Sequence, residues 1–217
     1  VSQSKYLLNV SEGVIMRYKL FPAGLFILLF LEGCAGAGIV ATSDPDQKMR
    51  DAYYLINKGD RPLPAETLIS EATAIYQSQN NSRGLGTAYA GYGDLLTSPT
   101  LAKWGSKNTY FHDKSVTFDN RIALSTVYYT KSIEAYQVAA SQAIETEQFD
   151  VLTNIYLNMA RISYELHDIK KTCDLFNKSF GAYTENIRRN PTAKPIATGF
   201  NSIPELIATR KKNVGCA

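Results

Sequence analysis

The chain has 217 residues, 45% of them hydrophobic and 20% charged, with a formal net charge of +3, two histidines and three cysteines. That charge is too small for a nucleic-acid binder, the apolar content too high for a disordered chain, and the cysteines too few for a disulfide scaffold. His112 and His167 lie far apart, which argues against a multi-histidine metal site, and no metal or cofactor is expected.

In chain order, residues 1–15 have no strong periodicity and precede an initiator-like Met16, so they read as upstream sequence from a misplaced start. Residues 16–33 have the layout of a secretory signal: basic Met16-Arg17-Tyr18-Lys19, an apolar run from Leu20 to Leu31, then Glu32-Gly33 before Cys34. A bilayer span takes about 20 apolar residues, and Glu32 ends the run sooner, so a permanent transmembrane helix is the weaker reading. The roughly 184 residues left after removal suffice for one domain with a continuous core. Residues 34–45 form a short tether ahead of a domain over 46–213.

That domain is expected to be all-α. Strand-type alternation is nearly absent, and the periodicity predicts helices at about 46–58, 65–79, 82–96, 119–146, 149–166, 169–188 and 202–212. The last begins with a capping box, Ser202-Ile203-Pro204-Glu205, and ends on Arg210, Lys211 and Lys212, where the helix dipole favours cations. Two internal similarities appear. Tyr128–Tyr136 matches Leu175–Tyr183 at an offset of 47 residues, and Leu85-Gly86, Tyr89 and Gly93-Asp94 match Met159-Ala160, Ser163-Tyr164 and His167-Asp168 at an offset of 74. No catalytic motif stands out, and the protein is not expected to be an enzyme.

Leu31-Glu32-Gly33-Cys34 resembles the lipobox of bacterial lipoproteins in Leu31, Gly33 and Cys34, with Glu32 a departure from the usual small uncharged residue. The resemblance implies cleavage before Cys34, lipidation of its thiol by palmitate-type chains, and anchoring to the envelope. Ala35 after the cysteine implies the outer membrane, facing the periplasm. Cys173 and Cys216 then remain as an even pair in an oxidising compartment, open to a bridge or to two separate roles, a buried Cys173 and a free Cys216.

The internal repeat resembles the tetratricopeptide family. Tyr156, Met159 and Ala160 take its first-helix places, His167-Asp168 its turn, and Thr172, Phe176 and Ser179 its second-helix places. An earlier copy matches at Leu85, Gly86, Tyr89 and Gly93-Asp94, and a weaker one spans Ala52 to Gln79. The resemblance implies a right-handed superhelix of antiparallel helix pairs, about three repeats long, with a C-terminal capping helix. The pair spacing leaves an insertion in the middle repeat, about 95–121. It carries Trp104, Tyr110, Phe111 and His112, either as a partner-binding surface or as the plug of a small core under the loop. Family analogy places a peptide-binding groove on Asn80, Arg83, Thr87, Asn154, Asn158, Arg161 and Glu165. The last four share one helix face by spacing. The expected function is an envelope adaptor for a protein partner of secretion, pilus or peptidoglycan machinery. It is membrane-bound through lipid and takes neither nucleic acid nor a small-molecule substrate. The alternative is an immunity protein that neutralises a secreted toxin.

Overall fold

The computed structural model describes residues 41–105, 111, 113–193 and 199–216. Cys34, Tyr110, His112 and the signal region lie outside the described residues, and the expectations that fall on them go no further here. Among the described residues the fold is all-helical, without a strand. Helix α1 runs Pro45–Tyr54 and continues as a π-helical turn, Leu55–Gly59. It is followed by α2 (Pro62–Ser78), α3 (Ser82–Thr97), the short α4 (Pro99–Trp104) and α5 (Arg121–Glu145). Then come α6 (Phe149–Glu165), α7 (Ile169–Arg189) and α8 (Ile203–Asn213).

Local chemistry sets the helix ends. Side chains of Asp44, Asn81, Ser98, Asp168 and Ser202 each accept a first-turn amide, relieving donors that have no partner inside the helix. Ser202 and Glu205 cap α8, with one difference from the expected box: Glu205 Oε2 accepts from the N–H of Asn201 rather than of Ser202. Three helix–helix turns share one geometry. Asn80, Glu147 and His167 each sit at positive φ immediately before the next helix's cap, and the following N–H reaches back to Tyr76, Ala143 and Ser163 carbonyls. This satisfies the last carbonyls of each helix, though none of the three is a glycine.

Helices pack in series: α1 on α2, α2 on α3, α3 on α5, α5 on α6, α6 on α7 and α7 on α8. Close approach of α3 to α5 depends on missing side chains. A Cβ on Gly86 would lie 2.7 Å from the Tyr136 ring, and one on Gly93 2.6 Å from the Tyr129 ring. Tyr136 therefore fills the space beside Gly86, while Tyr89 faces elsewhere. Phe176 is buried and Tyr156 packs half-buried against the α5–α8 core.

Three sequence expectations need correction. The family pattern implies a turn at Gly93-Asp94, but α3 runs through to Thr97, as the helical period over 82–96 predicts, because Leu95 and Leu96 are buried and extend its apolar face. The insertion contains an unexpected helix, α4, whose Leu101 is buried and whose Thr100 hydroxyl donates to Ile56 O at 2.7 Å. The offset of 47 is also not the structural register. Ser132 Oγ donates to Gly86 O on α3, whereas Ser179 Oγ donates to Thr153 O on α6. Gly86 corresponds to Ala160, seven residues beyond Thr153, so α5 is displaced by two helical turns against the sequence match. The register that the hydrogen bonds support is 40, which pairs Tyr136 with Phe176 and Ser132 with Thr172.

Candidate functional site

Helices α1, α3, α5 and α6 border a cleft of about 360 Å³, lined by Tyr53, Thr87, Asp94, Tyr136, Asn158 and Arg161. Asp94 is its hub. Its Oδ2 accepts from the Tyr53 hydroxyl at 2.9 Å; its Oδ1 accepts from the Tyr129 hydroxyl at 2.9 Å and from Arg161 at 2.8 Å. Beside it the Tyr136 and Thr87 hydroxyls are 2.9 Å apart. Four helices thus converge on one carboxylate.

Burial pushes the Tyr53 and Tyr129 phenols above their ordinary pKa, and the negative charge of Asp94 adds to the rise. For Arg161, burial opposes the charged form, but the Asp94 carboxylate together with the Tyr53 and Tyr129 phenols more than offsets it, and the guanidinium pKa lies above its ordinary value. At neutral pH the cleft therefore holds a fixed ion pair ringed by neutral hydroxyls. The Arg161 side chain keeps 37% of its surface exposed. One of its nitrogens donates to Asp94, and the guanidinium, a fork of N–H donors, lines the cleft.

Of the seven groove residues expected from sequence, the structure brings together Thr87, Asn158 and Arg161. Asn80 and Arg83 line a separate depression of about 520 Å³ between α3 and the α5–α6 turn. Asn154 lines a third, of about 480 Å³, and its amide is tied to Asp150 O in its own helix. Glu165 is exposed at the end of α6. The residues of the expected groove thus line three depressions, the first two adjoining along α3 and α6.

Sequence reasoning missed Tyr53, Asp94 and Tyr136 as cleft residues. Asp94 was visible only as an expected turn residue, and nothing local reveals that a tyrosine 41 positions earlier reaches it.

In the insertion, Trp104 ends α4 with 37% of its surface exposed, and its indole N–H donates to Asp60 O at 3.3 Å. Phe111 is only 4% exposed. It is buried, so its ring does not present a partner-facing surface.

Cys173 and Cys216 are bridged, with Cα atoms 5.5 Å apart across 43 residues of sequence. The bridge fastens the end of α8 to α7. Among the described residues no group of His, Cys, Asp or Glu is placed to hold a metal ion, and no helix is long and apolar enough to cross a membrane. Comparison with protein families, curated proteins and solved structures finds no match to the chain.

Proposed function

We propose that the protein is a lipid-anchored, periplasm-facing adaptor of the bacterial cell envelope, built as a tetratricopeptide-type superhelix of about three repeats, that holds a segment of a protein partner in the α1–α3–α5–α6 cleft. The observation that carries this reading is Arg161: a guanidinium pinned by Asp94, still partly exposed, with Asn158 and Thr87 beside it. Such a fork suits a peptide carboxylate or carbonyl, and an asparagine amide can donate to and accept from a peptide backbone. Serial packing of helices supports a repeat architecture, since each pair covers its apolar face only with its neighbours. A bridged Cys173–Cys216 pair accords with an oxidising compartment. The proposed mechanism is positioning. Lipid on Cys34 sets the location, and the cleft supplies recognition.

Crosslinking and pull-down from membranes test it. Asn158→Ala and Arg161→Lys should lose the captured partner while the helical circular dichroism stays unchanged. Retention of the partner in both variants would overturn the cleft as the recognition site. Palmitate labelling that survives Cys34→Ser would overturn the anchor.

A further inference from the structure

We propose that the protein has a second binding site, a cavity between α2, α3 and α5 closed by Asp113, that takes a neutral saccharide ring. The cavity holds about 340 Å³, at the small end of ligand pockets, and lies on the other side of α3 from the Asp94 cleft. Thr87, Ala90 and Asp94 serve the cleft; Tyr89 and Tyr92 serve this cavity.

Its walls are aromatic. Tyr92 stacks on Tyr128 with ring centroids 4.3 Å apart, and Tyr89 leans on Tyr128 at 6.4 Å. Its carboxylates are already engaged within the protein. Glu66, 2% exposed, accepts from the Tyr92 hydroxyl at 2.5 Å and from the Asp113 N–H at 3.3 Å. Asp113 accepts from the Ser115 amide and hydroxyl and, at 2.9 Å, from the Tyr128 hydroxyl. The Lys131 ammonium stands 5.1 Å from the Tyr128 ring and 6.0 Å from the Tyr89 ring.

The cavity carries charges of both signs, one ammonium and two carboxylates that already accept from protein donors, so a neutral ligand needs no counter-charge there. The Tyr89 hydroxyl, the Gln77 carboxamide and the Lys131 ammonium have no hydrogen-bond partner among the described residues, so donors and acceptors remain beside aromatic faces. A pyranose has the matching chemistry: a C–H face for a ring and a rim of hydroxyls that both donate and accept. The insertion contributes Asp113 to this site, which gives that segment a role besides Trp104.

The test uses the full chain in a detergent without a sugar headgroup, with glucose and N-acetylglucosamine as probes and choline and acetate as charged comparisons. Saturation-transfer NMR should show contact to the C–H protons of at least one sugar at millimolar concentration. Gln77→Ala should weaken binding about tenfold, the loss of one hydrogen bond, and Tyr89→Phe should weaken it less, both with unchanged thermal melting. No transfer to either sugar, tighter binding of choline or acetate, or sugar binding indifferent to Gln77→Ala would each overturn the proposal.

Discussion

The two ends of the helical domain are held together by different chemistry. From α1 to α5 the contacts are tyrosine rings set against the glycines of α3, with hydroxyls delivered to carboxylates: Tyr53 and Tyr129 to Asp94, Tyr92 to Glu66, Tyr76 to Asp46. From α6 to α8 the core is chiefly aliphatic, built from Leu152, Ile155, Met159, Ile162, Leu175, Ile203 and Ile207, and closed by a disulfide. Its buried Thr153 and Ser179 hydroxyls go to backbone carbonyls rather than to charges. Ser163 Oγ is buried there without a partner among the described residues. A tyrosine–carboxylate interface is geometrically demanding, since every buried hydroxyl and charge needs its partner. That demand also leaves polar groups poised at surfaces: the Tyr89–Tyr128 cavity lies in this half, and the Asp94 cleft lies where this half meets α6. The aliphatic half asks less of geometry but holds α8 by few contacts, Ile203 and Ile207 being its buried residues, and there a covalent tie compensates.

Alkaline pH should separate the halves most. Burial raises the Tyr53, Tyr76, Tyr92, Tyr129 and Tyr136 phenols above their ordinary value of 10.0, with acceptance by or proximity to carboxylates adding to the rise in Tyr53, Tyr76, Tyr92 and Tyr129. A phenol whose folded pKa lies above its unfolded one contributes its full stability below pH 10 and loses it as pH climbs toward the folded value. Tyrosinate absorbance should therefore appear together with loss of α1–α5 helicity above pH 10. Ionisation of these buried phenols without helix loss would contradict this.

Cys216→Ser should cost about 4 kcal/mol by the loop-entropy estimate for a 43-residue separation, read from denaturant melts, and should free α8 for proteolysis before the rest. Asp94→Ala strands three donors and should cost about 3 kcal/mol, with an increase in amide exchange confined to α1, α3, α5 and α6. Gly86→Ala forces a methyl into the Tyr136 ring and should cost about 2 kcal/mol. Gly181→Ala, whose new methyl meets nothing within 4 Å in the middle of α7, should stabilise by about 1 kcal/mol. Equal effects of the two in thermal melts would remove the distinction between the halves. His167→Gly relieves a left-handed residue at φ 59 and should raise stability by about 1 kcal/mol, measurable as a small shift in midpoint.

Much of the fold was legible because its signals are local. The apolar period marked helices to within a few residues of α3, α6 and α7, and Ser202-Glu205 marked the start of α8. Helix α4, six residues long, spans too few turns to show a period. The α5 register was misread because similar residues recur along one helix face, and sequence similarity does not distinguish a displacement of two turns. Of the candidate cleft, Arg161, Asn158 and Thr87 were visible as polar residues on first-helix faces. Asp94, which organises them, was not.

The amino-acid order alone determined that the chain is helical, where most helices start, and which residues turn the chain between them, because propensity, capping and periodicity act within a few residues. Tertiary structure alone decided that Tyr53, Tyr129 and Arg161 share one carboxylate across separations of 41, 35 and 67 residues, and that Asp113 closes a cavity against Glu66. Those contacts depend on the distance and register between packed helices, which the interlocking of α3 glycines with α5 tyrosines sets and no local pattern encodes.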